Sequence, residues 1–234
     1  MTSEFEILNT QFIGYGNPNG KYWFGGIEGA AAFDIRENVE KFCKDLNGKM
    51  YIPDEPGVTA KTRKKMGSKY TKIYDAMAKI VLMHREGKQE VGVDEANKYV
   101  DEKLFMEFGD NFQINLYPLG KRKVNYWETK YNDMFGFKNK NEYLCKVRKE
   151  RFPEIRKFVE QYNHPERIIV CFGVTHLDDY INAFGADLLV QSGKSSRIYT
   201  DQKHRLLVVD FPAYGWFGDQ EIKDTVQIMR GFGN

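Results

Sequence analysis

The stretch RIIVCFG, residues 167–173, constrains this chain more than any other. Its continuous apolar run leaves a strand with no polar face, and such a strand is stable only where both faces are covered. It therefore belongs in the middle of a parallel sheet. The glycine that ends it leads into HLDDYINAF, a short helix. Parallel neighbours require crossover segments, and the rest of the chain supplies them.

KYWFGG (21–26) reads as a first strand, short, apolar and stopped by glycines. From Phe33 to Leu46 the residues Phe33, Ile35, Val39, Phe42, Cys43 and Leu46 follow a helical face, with Gly48 where a helix would end. Residues 51–66 read as a loop. Ser68 is placed to cap a helix through about Arg85, with Ile73, Met77, Ile80, Val81 and His84 at helical spacing. Asp94 opens another helix, which is expected to end near Phe108-Gly109. FQINLYPL (112–119) is the second strand, halted by Pro118. Residues 124–138 read as an aromatic-rich loop or broken helix. A helix follows from Asn141 to Tyr162, with Pro153 forcing a break or a new start. Residues 197–200 and 205–210 flank TDQKH as a hairpin, and Asp219 caps a last helix through Met229.

Strands alternating with helices predict a three-layer α/β/α architecture with a central, largely parallel four-stranded sheet, in one domain over 1–234. The 17 Phe and 14 Tyr are enough to fill its core. Ligands of such sheets bind beyond the carboxyl ends of the strands. Those ends are GGIEGAA, LYPLGKR, CFGVTH and DFPAYGWF, and they are expected to converge.

Several classes are disfavoured. No apolar run is long enough to span a membrane. MTSEFEILNT has no basic region followed by an apolar block, so a secretory signal is not expected and a cytoplasmic location is. Cys43, Cys145 and Cys171 are odd in number and far apart, which argues against a disulfide framework, a zinc site or an iron–sulfur cluster. The four histidines show no metal spacing, and no metal or other cofactor is expected. His176 alone stands at a strand end, as a helix-start residue or a catalyst. SGKSS (192–196) is not a phosphate loop, because position 188 holds leucine where that motif needs glycine. No G-x-S-x-G elbow occurs. Net charge is only +2, but Lys61, Arg63, Lys64, Lys65 and Lys69 crowd together, and Lys121, Arg122 and Lys123 form a second cluster. Such clusters are either solvated surface or, flanking one pocket, a hold on a phosphate backbone.

Three segments remain: GYGNPNGKYWFGGIEGAAAF, FQINLYPLGK and DFPAYGWFGDQE. Together, and in this order along most of the chain, they resemble the uracil-DNA glycosylase superfamily. Gly14-Tyr-Gly-Asn-Pro18 matches that family's G-x-G-x-P lead into an apolar strand, and Phe24-Gly-Gly-Ile-Glu28-Gly-Ala matches its glycine-rich loop with a polar residue. Asn115 stands where the family's base-reading asparagine is found, and Phe211-Pro212-Ala213 occupies the place of its last motif. The departures are definite. Phe211 replaces the histidine that in many members stabilises the departing base, and Glu28 falls one residue after the position, here Ile27, where some members carry the catalytic acid or asparagine.

The resemblance implies a monofunctional DNA glycosylase, monomeric, soluble and partnered by DNA, that hydrolyses the N-glycosidic bond of a flipped-out base. Glu28 would be the catalytic acid, with Asp34 and Asp210 as substitutes; its bland alternative is a helix-start acid favoured by the dipole. Gly26, Ile27, Gly29 and Ala30 would line the pocket. Asn115 would read the base edge, or else satisfy strand-end backbone groups. Phe33 or Tyr117 would stack on the base. Ala213, Tyr214 and Trp216 would form the wedge, with Lys61, Arg63, Lys64, Lys65, Lys121, Arg122 and Lys123 on phosphates. Where the family's uracil-specific branch excludes 5-substituents with a bulky side chain, Gly29-Ala30-Ala31-Ala32 would leave room for a pyrimidine with a bulky 5-substituent, such as the hypermodified bases of some phage DNA, and excising those would be antiviral. The alternatives are a catalytically silent nucleic-acid-binding relative and an α/β enzyme acting on a small nucleotide.

Overall fold

The computed structural model describes residues 3–28, 35–53, 68–121, 126–187, 189–191, 198–212 and 217–232. Its strands are β1 (Gly14–Gly16), β2 (Tyr22–Glu28), β3 (Tyr51–Ile52), β4 (Asn111–Tyr117), β5 (Ile168–Phe172), β6 (Val190–Gln191), β7 (Tyr199–Asp201) and β8 (Leu206–Val209). The α-helices are α1 (Ser3–Glu6, continued by a π turn over Ile7–Gln11), α2 (Arg36–Leu46), α3 (Ser68–Glu86), α4 (Val93–Glu102), α5 (Lys130–Phe135), α6 (Lys140–Gln161), α7 (Leu177–Phe184) and α8 (Asp219–Gly231).

All eight described strands form one mixed sheet in the order β3-β1-β4-β2-β5-β8-β7-β6. The four-stranded sheet expected from the sequence is therefore too small. The centre, β4-β2-β5-β8, is wholly parallel. On one side β1 runs antiparallel to β4 and parallel to β3, and on the other β7 runs antiparallel to both β8 and β6. β7 is the first arm of the hairpin expected over 197–200 and 205–210, whereas β1, β3 and β6 are two or three residues long, too short to show an alternating pattern. In β1 the pattern is hidden further by glycine: a Cβ on Gly14 would lie 2.0 Å from the Gln113 carbonyl oxygen, so only glycine lets this strand lie against β4.

Alternation along the central strands sorts side chains into two apolar layers. Trp23, Ile114, Leu116, Ile169, Cys171, Leu206 and Val208 meet the N-terminal segment and the inner faces of α2, α5, α6 and α7. Tyr22, Phe24, Ile168, Val170, Phe172, Leu207 and Val209 meet α3, α4 and α8. Helices thus cover both faces of the sheet, which lets β5 bury all five of its residues.

Two helices differ from the sequence expectation. α6 is continuous through Pro153. A proline there leaves the Lys149 carbonyl without its helical partner, and both residues line an open groove of about 390 Å³ against Phe5, Glu6 and Thr10. α4 stops at Glu102, well short of Phe108, because Tyr99 O accepts from both Lys103 N and Leu104 N and the chain then turns through Phe105 at φ 62°. Within the stretch expected to be aromatic-rich loop or broken helix, α5 is the short helix of the second alternative, closed by Gly136 in the left-handed region. Among the described residues, no helix is long and apolar enough to cross a membrane.

Candidate functional site

Because β4, β2, β5 and β8 run parallel, their carboxyl ends reach one edge of the sheet. β2 extends two residues further than KYWFGG suggests, so Glu28 is the last residue of a strand and not part of a loop. It lies in register with Tyr117, as Gly26 does with Asn115. The Glu28 side chain is only 5% exposed, and Lys121 Nζ approaches its Oε2 to 2.6 Å. Oε1 is buried with no hydrogen-bond partner among the described residues.

Burial dominates the titration of Glu28. Loss of solvent raises its pKa from 4.5 to about 7, although the positive charges of Lys121 and Lys140 and the neighbouring His176 pull the other way. Lys140, the first residue of α6, has its own pKa lowered by burial and then by Lys121. A carboxyl poised near neutrality can both take and return a proton, as general acid–base catalysis requires.

Asn115 sits half-buried beside Glu28's strand. The glycine opposite it makes room for this side chain: a Cβ on Gly26 would fall 2.5 Å from Asn115 Oδ1 and push the amide aside. The close approach that Gly26 permits is thus that of a neighbouring side chain. Arg151 fixes the Asn115 backbone, donating to its carbonyl from Nε at 3.2 Å and Nη2 at 2.9 Å. The same guanidinium also donates to the carbonyls of Leu8, Asn9, Phe12 and Ile13. Burial lowers its pKa to about 10.

A second buried acid lies nearby. Asp179 Oδ2 accepts from Tyr117 Oη at 2.7 Å and faces His176 Nδ1 at 3.4 Å, while Arg148 Nε donates to Oδ1 at 2.8 Å. Burial alone would raise the Asp179 pKa, but the hydrogen bonds from His176, Arg148 and Tyr117 prevail and hold it well below the usual range. Asp210 follows β8 at the same edge and is buried, two strands from β2 and so roughly 10 Å away at ordinary strand spacing.

Several expected roles need correction. Lys121, expected to hold a phosphate, is 2% exposed and faces Glu28; a buried carboxylate drew one cation out of the surface run. Tyr117, expected to stack on a base, is packed against Tyr143 and Phe152 and spends its hydroxyl on Asp179. Ile27 points into the core cluster and not into a pocket. Gly29, Ala30, Phe33 and Asp34 lie outside the described residues, as do Lys61, Arg63, Lys64, Lys65, Arg122, Lys123, Ala213, Tyr214 and Trp216. The sequence reading missed Lys140, Arg148, Arg151 and Asp179. Only the last carried a signal, the three-residue spacing from His176 that brings both to one helical face. Among the described residues, no group of three His, Cys, Asp or Glu side chains could hold a metal ion. No protein-family model matches the chain, and no curated protein matches it.

Proposed function

We propose that this chain is a DNA glycosylase that hydrolyses the N-glycosidic bond of a flipped-out modified base, on the plan of the uracil-DNA glycosylases. The observation that carries this reading is Glu28: a buried carboxyl, titrating near neutrality, at the carboxyl edge of a parallel sheet and two positions along from the Gly26–Asn115 pair. Cleaving the bond builds positive charge on the sugar, which an ionised Glu28 would stabilise while orienting or deprotonating water. Asn115, held rigid through its carbonyl by Arg151, would present its amide to the base edge. The parallel four-stranded centre with helices on both faces is also what the resemblance calls for. The substrate proposed is a pyrimidine enlarged at its 5-position, on the strength of the Gly29–Ala32 run.

The test is a panel of oligonucleotides carrying uracil and 5-substituted pyrimidines, read for free base and abasic sites. Wild type should release an enlarged base, and Glu28→Gln should release it at least ~100-fold more slowly while binding the DNA within a few-fold of wild type. Efficient release of uracil with enlarged bases untouched would overturn the substrate class. A second reading, a silent DNA-binding relative, is favoured by Phe211 in the last motif and by Lys121 occupying one Glu28 oxygen. It predicts DNA affinity with no base released from any member of the panel.

A further inference from the structure

His176 closes the 3₁₀ turn Val174–His176 just beyond β5, at the same sheet edge as Glu28, and its side chain is 23% exposed. Its Nδ1 faces Asp179 Oδ2, one turn along α7, and Nε2 makes no hydrogen bond among the described residues. Tyr117 and Arg148 hold the Asp179 carboxylate from β4 and α6, so the acceptor beneath the imidazole is fixed from two further elements. A carboxylate on Nδ1 holds the Nδ1–H and turns Nε2 outward, so the proton that the imidazolium can give up is the one on Nε2. Arg148 offsets much of the Asp179 charge, which makes this acid an orienting acceptor more than a bare counter-charge. β2 and β5 are parallel neighbours with Gly25 in register with Cys171, so Glu28 at the end of β2 and His176 in the turn after β5 come within electrostatic reach. Among the described residues, other charged groups at this edge include Lys121 beyond β4, Lys140 on α6, Asp178 on α7 and Asp210 after β8.

A departing base carries away the electron pair of the C1′–N bond and needs a proton or a positive charge. Glu28 is an acid suited to the sugar and the water, and Phe211 after β8 has no polar group to give. We propose that His176 is the second catalytic group of this site: Nε2 hands a proton to the leaving base while Glu28 accepts one from the attacking water. The inference rests on the glycosylase reading above. In the step, the C1′–N bond breaks with its pair passing to the base, which takes the Nε2 proton of the His176 imidazolium and leaves the neutral Nδ1–H imidazole. The water oxygen bonds to C1′ and its proton passes to the Glu28 carboxylate. Glu28 then releases that proton to solvent and His176 regains one, so the site returns to its starting state.

The test uses the full chain and oligonucleotides whose target bases are graded by the acidity of the free base. His176→Gln is expected to slow release of the least acidic base about 100-fold and that of the most acidic base only a few-fold, because a stable anion leaves without help. Unfolding midpoints of the variant should match wild type; should His176→Gln fail to fold, His176→Asn is read in the same way. A merely structural histidine would slow every base equally. Equal slowing across the series, or none, overturns the role of His176 while leaving the glycosylase reading intact. Failure of wild type to release any base overturns that reading and this inference with it.

Discussion

At the scale of single residues, Glu28 decides what the site can do. Its folded pKa of about 7 stands above the ordinary 4.5, so the native state holds its proton more tightly than the unfolded chain. Below about pH 4.5 both states are protonated and the group costs nothing. As pH rises toward 7 the unfolded chain ionises first, and stability falls. The fall over this window should be on the order of 3 kcal/mol, at about 1.4 kcal/mol per pH unit. Denaturant unfolding at pH 4.5 and 7.5 measures it, with Glu28→Gln/Lys121→Met as reference because that variant removes both members of the pair. A wild-type profile parallel to the reference would show that Glu28 titrates normally. The sequence showed an acid at this place but not its state. KRK at 121–123 reads as three surface cations, and only the folded chain shows that the first is buried against a carboxylate from another strand.

At the scale of elements, α6 does more than cover the sheet. Arg151 from its middle satisfies five carbonyls, four in the N-terminal segment and one on β4, and thereby ties both to the helix. Removing it leaves buried acceptors without donors, at about 1–3 kcal/mol each when no water can enter. Arg151→Met should therefore destabilise the protein by about 3–5 kcal/mol and lower the thermal midpoint by roughly 10 °C. Arg151→Lys, with fewer donors and no fork, should recover only part of the loss. A calorimetric midpoint unchanged in Arg151→Met would sink the idea of a structural hub. Nothing in KVRKERF distinguishes this arginine from its charged neighbours. The helix was legible; which of its cations turns inward was not.

At the scale of the whole molecule, stability should follow the sheet from centre to edge. β5 lies between β2 and β8 with every residue buried, whereas β3 and β6 are two-residue pieces at the rims. Hydrogen exchange should be slowest at Ile169–Cys171 and at Trp23–Gly25, and fastest at Tyr51–Ile52 and Val190–Gln191. Fast exchange along β5 would contradict this architecture. The parallel centre was legible because a continuous apolar run such as IIVCF, and strand–helix alternation around it, are properties of neighbours in the chain. From that centre it also followed that GGIEG, LYPLG, CFGVTH and DFP would share an edge. The short rim strands, the burial of Lys121, the Tyr117–Asp179–His176 contacts and the raised pKa of Glu28 were not legible. Local pattern sets where a strand begins and which way it faces. Desolvation and charge pairing depend instead on groups brought together from distant parts of the chain, so only the tertiary structure decided which acid is held ready to move a proton.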